Sequence, residues 1–281
     1  MASPDERRRL NPAIGELGIA GLALLRLHAL RQPDRASECV DEIRRILADV
    51  DETVPIEVRT PFLDVASGYR RWAEVYDAPG NPLIECEEPV IRPLLDELDG
   101  DPLLDAACGT GRHLSYLASR GHRMVGVDVV PAMIEKARGK VPDADYRVGD
   151  LTDLPVKDGE VRGAVCSLAL EHVADICAAY RELARAVSPG GKVVTSTMHP
   201  VLRSIFGWGA WFVDDHGKTD IPTFDRSFAD YVNAAADAGL ILRRCEEPTA
   251  PDSALPYDAS PATRIAYSGA PMVLVLEFDR P

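Results

Sequence analysis

At 281 residues the chain is long enough for one large α/β domain with additions or for two small domains, and its 46% hydrophobic and 27% charged residues give an ordinary globular balance. A formal net charge of −14 argues against a general nucleic-acid binder, which presents a basic face. The six cysteines form no C-x-x-C pair and match no zinc spacing, so no metal is expected and a reducing, cytoplasmic compartment suits them.

The N-terminus carries Arg7-Arg8-Arg9 ahead of an apolar patch, but Glu16 and Arg26 bound that patch and no clean small-residue cleavage site follows. No run approaches the roughly 20 apolar residues that span a bilayer, so no membrane partner is expected. Residues 1–58 read as a helical extension. In its first helix Ile14, Leu17, Gly21, Leu22, Leu25 and His28 recur at three and four; after Pro33-Asp34 a second helix turns Cys39, Val40, Ile43, Ile46, Leu47 and Val50 inward. The pair has no chemical signature, and a dimerisation or lid role is expected of it.

Residues 59–281 read as one domain. Its first unit, 59–80, contains the aromatic-rich run Tyr69 to Asp77. A turn at Asn81-Pro82 leads into a helix from about Ile84 to Leu98. Strands are then predicted at 102–107, 123–127, 145–148, 161–168, 192–198 and 240–245, with helices near 111–120, 131–138, 174–187 and 226–238. Such alternation means a parallel sheet with helices on both faces, and the run Met272 to Phe278 adds a last, antiparallel strand. The stretch 199–222 is long for a connection and holds Phe206, Trp208, Trp211 and Phe212, which marks it as a substrate loop.

Ligands of an open parallel sheet bind beyond the carboxyl ends of its strands, where strand order reverses. Asp105, Gly109 and Gly111 follow the first strand of this domain. Two glycines one residue apart let a ligand lie on the backbone, and the helix behind them offers unpaired N–H groups. Asp105 would repel phosphate but suits a ligand with an ammonium group and a cationic sulfur. Asp128 ends the second strand, where two carboxylate oxygens match a ribose diol. Asp150, in Gly149-Asp150-Leu151, can accept from an adenine amino group while the Leu151 N–H faces a ring nitrogen.

The order of D-x-x-x-G-x-G, second-strand acid, G-D-L and S-P-G-G-K resembles the class I S-adenosylmethionine-dependent methyltransferases, specifically the small-molecule group called type 11, over about residues 60–245. The resemblance implies a Rossmann-like, seven-stranded, mostly parallel sheet of order 3-2-1-4-5-7-6, and S-adenosylmethionine as the cofactor. It implies that Asp105 and the glycine loop with Gly109 and Gly111 hold the methionine part, Asp128 the ribose, and Met133 packs near the adenine, with Ala107, Val129, Asp150, Leu151 and Leu168 also binding the cofactor. Tyr69, Trp72 and Tyr76 would belong to a cofactor-covering helix within 59–80, with Arg70 or Arg71 on the cofactor carboxylate. An NAD-dependent oxidoreductase is the rival, but Leu114 stands where its third glycine belongs. A non-catalytic S-adenosylmethionine-binding protein is the third reading.

The expected reaction is methyl transfer to a small-molecule acceptor of secondary-metabolite type, at oxygen in preference to nitrogen or carbon. His199 and His172 each follow a strand end and are the candidate bases, His199 favoured. Glu171, His199, Phe206, Trp208 and Trp211 are the expected acceptor contacts.

Overall fold

The computed structural model describes residues 6–10, 12–49, 57–61, 63–215, 217–249 and 259–281. The chain begins with strand β1 (Glu6–Leu10), helices α1 (Pro12–Ala29) and α2 (Ala36–Asp49), and strand β2 (Glu57–Pro61). β1 and β2 pair antiparallel as a separate ribbon, so the extension is not helical throughout. The stripe of α1 also differs from the expectation. Its buried positions are Ala20, Ala23 and Leu27, while Leu25 is 64% exposed. Alanines let α1 approach α2 and the later helix Pro261–Tyr267 closely, while Leu22 and Leu24 pack at the edge of the core.

The sheet domain follows. Helix α3 (Val65–Trp72) starts at Asp64, whose side chain accepts the Ser67 N–H. Helix α4 (Pro82–Leu95) is capped by Asn81 with proline at its first turn. Then come β3 (Leu103–Ala106), α5 (Arg112–Ser119), β4 (Met124–Asp128), α6 (Pro131–Lys140), β5 (Asp145–Val148), β6 (Val161–Ser167), α7 (Ile176–Ala186) and β7 (Val187–Met198). The Ser188-Pro189-Gly190-Gly191 turn bulges out of β7, so the pairing with β6 jumps from Val187 to Lys192.

The expected substrate loop is structured. Short helix α8 (Pro200–Ser204) precedes an antiparallel hairpin of β8 (Ala210–Asp214) and β9 (Gly217–Ile221). Helix α9 (Phe228–Asp237), strand β10 (Ile241–Glu246), helix α10 (Pro261–Tyr267) and strand β11 (Val273–Asp279) complete the chain.

Seven strands form the main sheet in the order β10-β11-β7-β6-β3-β4-β5. Counted along the sheet domain, that is the predicted 3-2-1-4-5-7-6, and β11 runs antiparallel to both neighbours as expected. The four residues of β3 and five of β4 are all buried, because helices cover both faces. One core lies under α1, α4, α5 and α10, the other under α7 and α9. Strand order reverses between β3 and β6, and the ends of β3, β4, β5 and β6 open there under α3.

Candidate active site

Backbone geometry builds the site first. At the carboxyl end of β3, Ala107 takes φ 60° and Gly109 φ 52°; at the end of β6, Leu168 takes φ 48°. Left-handed Ala and Leu cost energy and concentrate at functional sites. The Leu168 N–H is held there by the Ser196 carbonyl at 2.9 Å.

The two glycines do different work. A Cβ on Gly109 would meet nothing within 4 Å, so this backbone faces open space. A Cβ on Gly111 would come within 2.9 Å of the Ala137 Cβ and 3.1 Å of its Cα, at φ 84°. Gly111 therefore lets α5 pack on α6 and lines none of the cavities described below, against the expectation that it faces a ligand. Gly111→Ala should lose about 2–4 kcal/mol of stability, from left-handed strain plus overpacking, read as a lower denaturant midpoint. Gly109→Ala should lose about 1–2 kcal/mol, from the strain alone.

Acids at three strand ends surround this backbone. Asp105 is 2% exposed and accepts the Leu114 N–H of α5 at 2.8 Å; burial pushes its carboxyl up to about 6. Asp128 accepts the Gly109 N–H and the Val130 N–H, each at 2.8 Å, one on each oxygen. It thereby ties the end of β4 to the glycine loop, and each oxygen keeps a lone pair. Asp150 is exposed and accepts from the Thr152 N–H and hydroxyl through one oxygen.

Two large cavities meet over these strand ends. The first, about 470 Å³, is lined by Asp128, Val129, Met133, Asp150, Leu151, Ala107 and Gly109, and is roofed by Asp64, Val65, Ala66 and Tyr69 at the start of α3. A small cavity opens beside it, sharing Tyr76, Ala107, Gly109 and Ser167 and adding Asp105 and Arg112. The second, about 540 Å³, is walled by Trp72, Trp208, Trp211 and Phe212, with Glu171 and Met198 among its other residues. The large cavities share Tyr69, Tyr76, Leu168 and His172.

At this junction the Tyr69 hydroxyl lies 2.8 Å from His172 Nε2, and His172 Nδ1 lies 2.5 Å from the Pro222 carbonyl. A carbonyl only accepts, so Nδ1 carries a proton, and in the tautomer with that proton alone Nε2 accepts from Tyr69. Burial keeps the Tyr69 phenol protonated, raising its pKa well above the ordinary value, with Tyr76 and Glu171 adding to the effect.

Several predicted residues sit elsewhere. His199 is 4% exposed and lines neither large cavity. Its Nδ1 accepts the Val201 N–H at the start of α8, and its Nε2 donates to Glu247 at 2.8 Å, so both ring nitrogens are engaged. The His-Pro pair is a helix cap with proline at the first turn. Phe206 stacks on Tyr267 at 4.3 Å and does not line the second cavity. Trp72 lies in the second cavity and not the first, stacked between Tyr69 at 5.4 Å and Phe212 at 5.6 Å. Arg70 is exposed, and Arg71 is paired with Asp214 of β8.

Sequence reading missed the arginine that does reach the site. Arg112 lines the small cavity opposite Asp105, donating to Ser167 Oγ at 3.0 Å and pairing with the fully buried Glu87 of α4 at 2.5 Å. His113 and Arg112 hold the Glu87 carboxyl far below the usual range. Its position directly after Gly111 was the available signal; Glu87 offered none. Asp77 was also missed. It accepts from Thr110 Oγ1 at 2.6 Å and pairs with Lys140 at 2.8 Å, clamping the segment after Tyr76 to the glycine loop. Among the described residues no group of three or more His, Cys, Asp or Glu is placed to hold a metal ion, and no helix is long and apolar enough to cross a membrane.

Comparisons with known proteins bear on this arrangement. The family described as a methyltransferase domain matches residues 104–195. A malonyl-[acyl-carrier protein] O-methyltransferase of Serratia marcescens is 33% identical over 134 residues, 48% of this chain and 52% of that protein. The chain thus spans about half the length of that curated relative. An uncharacterized methyltransferase of Emericella nidulans is 30% identical over 224 residues, covering 65% of this chain and 77% of that protein. The chain belongs to the S-adenosylmethionine-dependent methyltransferase family. A solved S-adenosylmethionine-dependent methyltransferase from Mesorhizobium loti agrees, at 25% identity and TM-score 0.55, covering 69% of this chain and 97% of that one. The matched stretch runs from β3 into β7, and so contains Asp105, Asp128, Asp150 and the junction histidine His172.

Proposed function

We propose that the protein methylates a hydroxyl oxygen of a small, ring-bearing acceptor, with S-adenosylmethionine in the first cavity and the acceptor in the second. The observation that carries this reading is the shared wall of the two cavities, with the Tyr69–His172 hydrogen bond in it.

The residues present fit the cofactor. Apolar Val130, Met133 and Leu151 suit a purine, and Asp128 has spare lone pairs for a diol. Asp105 and Arg112 face one small cavity with opposite charges, which matches the zwitterionic end of an amino acid and replaces Arg70 or Arg71 in that role. When bound, the cofactor supplies an already activated methyl group, so alignment and a proton acceptor are what the protein must add. An acceptor hydroxyl donating to the Tyr69 oxygen would pass its proton there as the Tyr69 proton moves to His172 Nε2. The imidazolium is then held by the Pro222 carbonyl.

A malonyl thioester, the acceptor named for the Serratia relative, presents a carboxylate. No Lys or Arg is among the described residues lining the second cavity, which argues against that acceptor here. Calorimetry with S-adenosylhomocysteine, followed by mass spectrometry of products from a panel of phenols, tests the reading. Micromolar binding and O-methyl products are expected; absence of binding, or transfer only to nitrogen or carbon, overturns it.

Cofactor affinity should also depend on pH. The Asp105 carboxyl, raised to about 6, holds a proton below that pH and must lose it to face an ammonium group. Affinity should therefore fall about tenfold per pH unit below 6 and level off above it. Asp105→Asn should flatten the dependence, as read by calorimetry at a series of pH values.

A further inference from the structure

The second cavity contains one side chain that neither the hydroxyl chemistry nor the fold requires. Glu171 is 6% exposed and lines this cavity but not the first. One of its oxygens accepts from Thr197 Oγ1 at 3.0 Å, and Thr197 Oγ1 lies 3.2 Å from the Tyr231 hydroxyl. No cation pairs with it among the described residues. The basic groups around it are engaged elsewhere: Arg226 by the Leu170, Val173 and Ala174 carbonyls, Arg71 by Asp214, and Arg203 by Asp225. A buried acid that lines a cavity and keeps one oxygen free of a side-chain donor favours an occupant that brings a positive charge.

The walls point the same way. Trp208 and Trp211 line the cavity, and aromatic faces attract cations, whereas Trp72 is covered on both faces by Tyr69 and Phe212. Trp211 already holds one such contact, with Lys218 Nζ 4.2 Å from its ring centroid. With one acid, two indoles and no Lys or Arg among its described lining residues, the cavity favours a cation.

Position separates this charge from the reacting atom. Tyr69 and His172 line both cavities, whereas Glu171 lines only the acceptor side. We propose that the acceptor is a ring-bearing amine: its ammonium group rests against Glu171 and the tryptophans, and its hydroxyl reaches the Tyr69–His172 junction. The proposal rests on the methyltransferase reading above and adds the class of acceptor.

Three probes matched in shape test it, each titrated by calorimetry into protein saturated with S-adenosylhomocysteine. They are tyramine, the neutral 4-ethylphenol and the anionic 4-hydroxyphenylpropanoate. Tyramine should bind at least tenfold more tightly than either other probe. Glu171→Gln keeps the shape and the Thr197 contact and should erase that preference, leaving affinity for S-adenosylhomocysteine unchanged. Trp211→Ala, at a half-exposed position, should weaken tyramine more than 4-ethylphenol. Equal or tighter binding of the anion, no binding of tyramine, or a preference that survives Glu171→Gln overturns the proposal while the methyltransferase reading stands. Failure of S-adenosylhomocysteine itself to bind overturns both.

Discussion

Asp128→Ala should weaken binding of S-adenosylmethionine and S-adenosylhomocysteine by about 100- to 1,000-fold, from three losses acting together. The Gly109 and Val130 N–H groups each lose a charged acceptor at 2.8 Å. The glycine loop loses its tie to β4, so the backbone on which the ligand would lie is no longer held. The ligand's diol loses its acceptor. Hydrogen bonds to a charged group contribute about 1.5–3 kcal/mol each, so two such effects reach the stated range. Asp128→Asn retains the shape and one accepting oxygen and should fall between wild type and alanine. Calorimetry with S-adenosylhomocysteine measures both; less than a threefold change for alanine would remove Asp128 from the cofactor site.

The second large effect is on turnover. Removing a positioned general base typically costs 10²- to 10⁴-fold, so His172→Ala should lower kcat by about 100-fold or more. Tyr69→Phe should lower kcat comparably, because the ring still roofs the first cavity while the hydroxyl that donates to His172 is gone. In both variants affinity for S-adenosylhomocysteine should change only a few-fold. That split distinguishes a proton path from a packing role, since loss of packing would move Kd with kcat. His199→Ala is the control: a buried cap bonded to Val201 and Glu247 should lose stability without a specific loss of turnover. Equal kcat in wild type and His172→Ala would end the relay.

The parallel sheet and the acids at the strand ends were legible because they depend on local rules, whereas the strand order came from the family resemblance. Alternation of apolar strands with capped helices gives a parallel sheet, and a carboxylate after a buried run lies at the sheet's carboxyl edge. Residues whose partners are distant in sequence were not legible. Arg71 belongs to Asp214 and Arg112 to Glu87, and no spacing reveals such pairs. His199 was misread although Pro200 stands beside it, because a helix-start signal was weighed less than its place after a strand. The hairpin of β8 and β9 was hidden because 199–222 reads as one long substrate loop, although it packs on Trp72 through Phe212. The ribbon of β1 and β2 joins segments some fifty residues apart and left no trace in a helical-looking stretch.

Helix α3 contributes to the roof of both chambers, through Val65, Ala66 and Tyr69 on one side and Tyr69 and Trp72 on the other. It is also fastened to the hairpin, with Gly68 pressed on Ile221 and Arg71 joined to Asp214. One element thus borders both chambers, so a guest that fixes it in one would prepare the wall of the other. Thermodynamic reciprocity then requires each to tighten the other's grip by an identical factor.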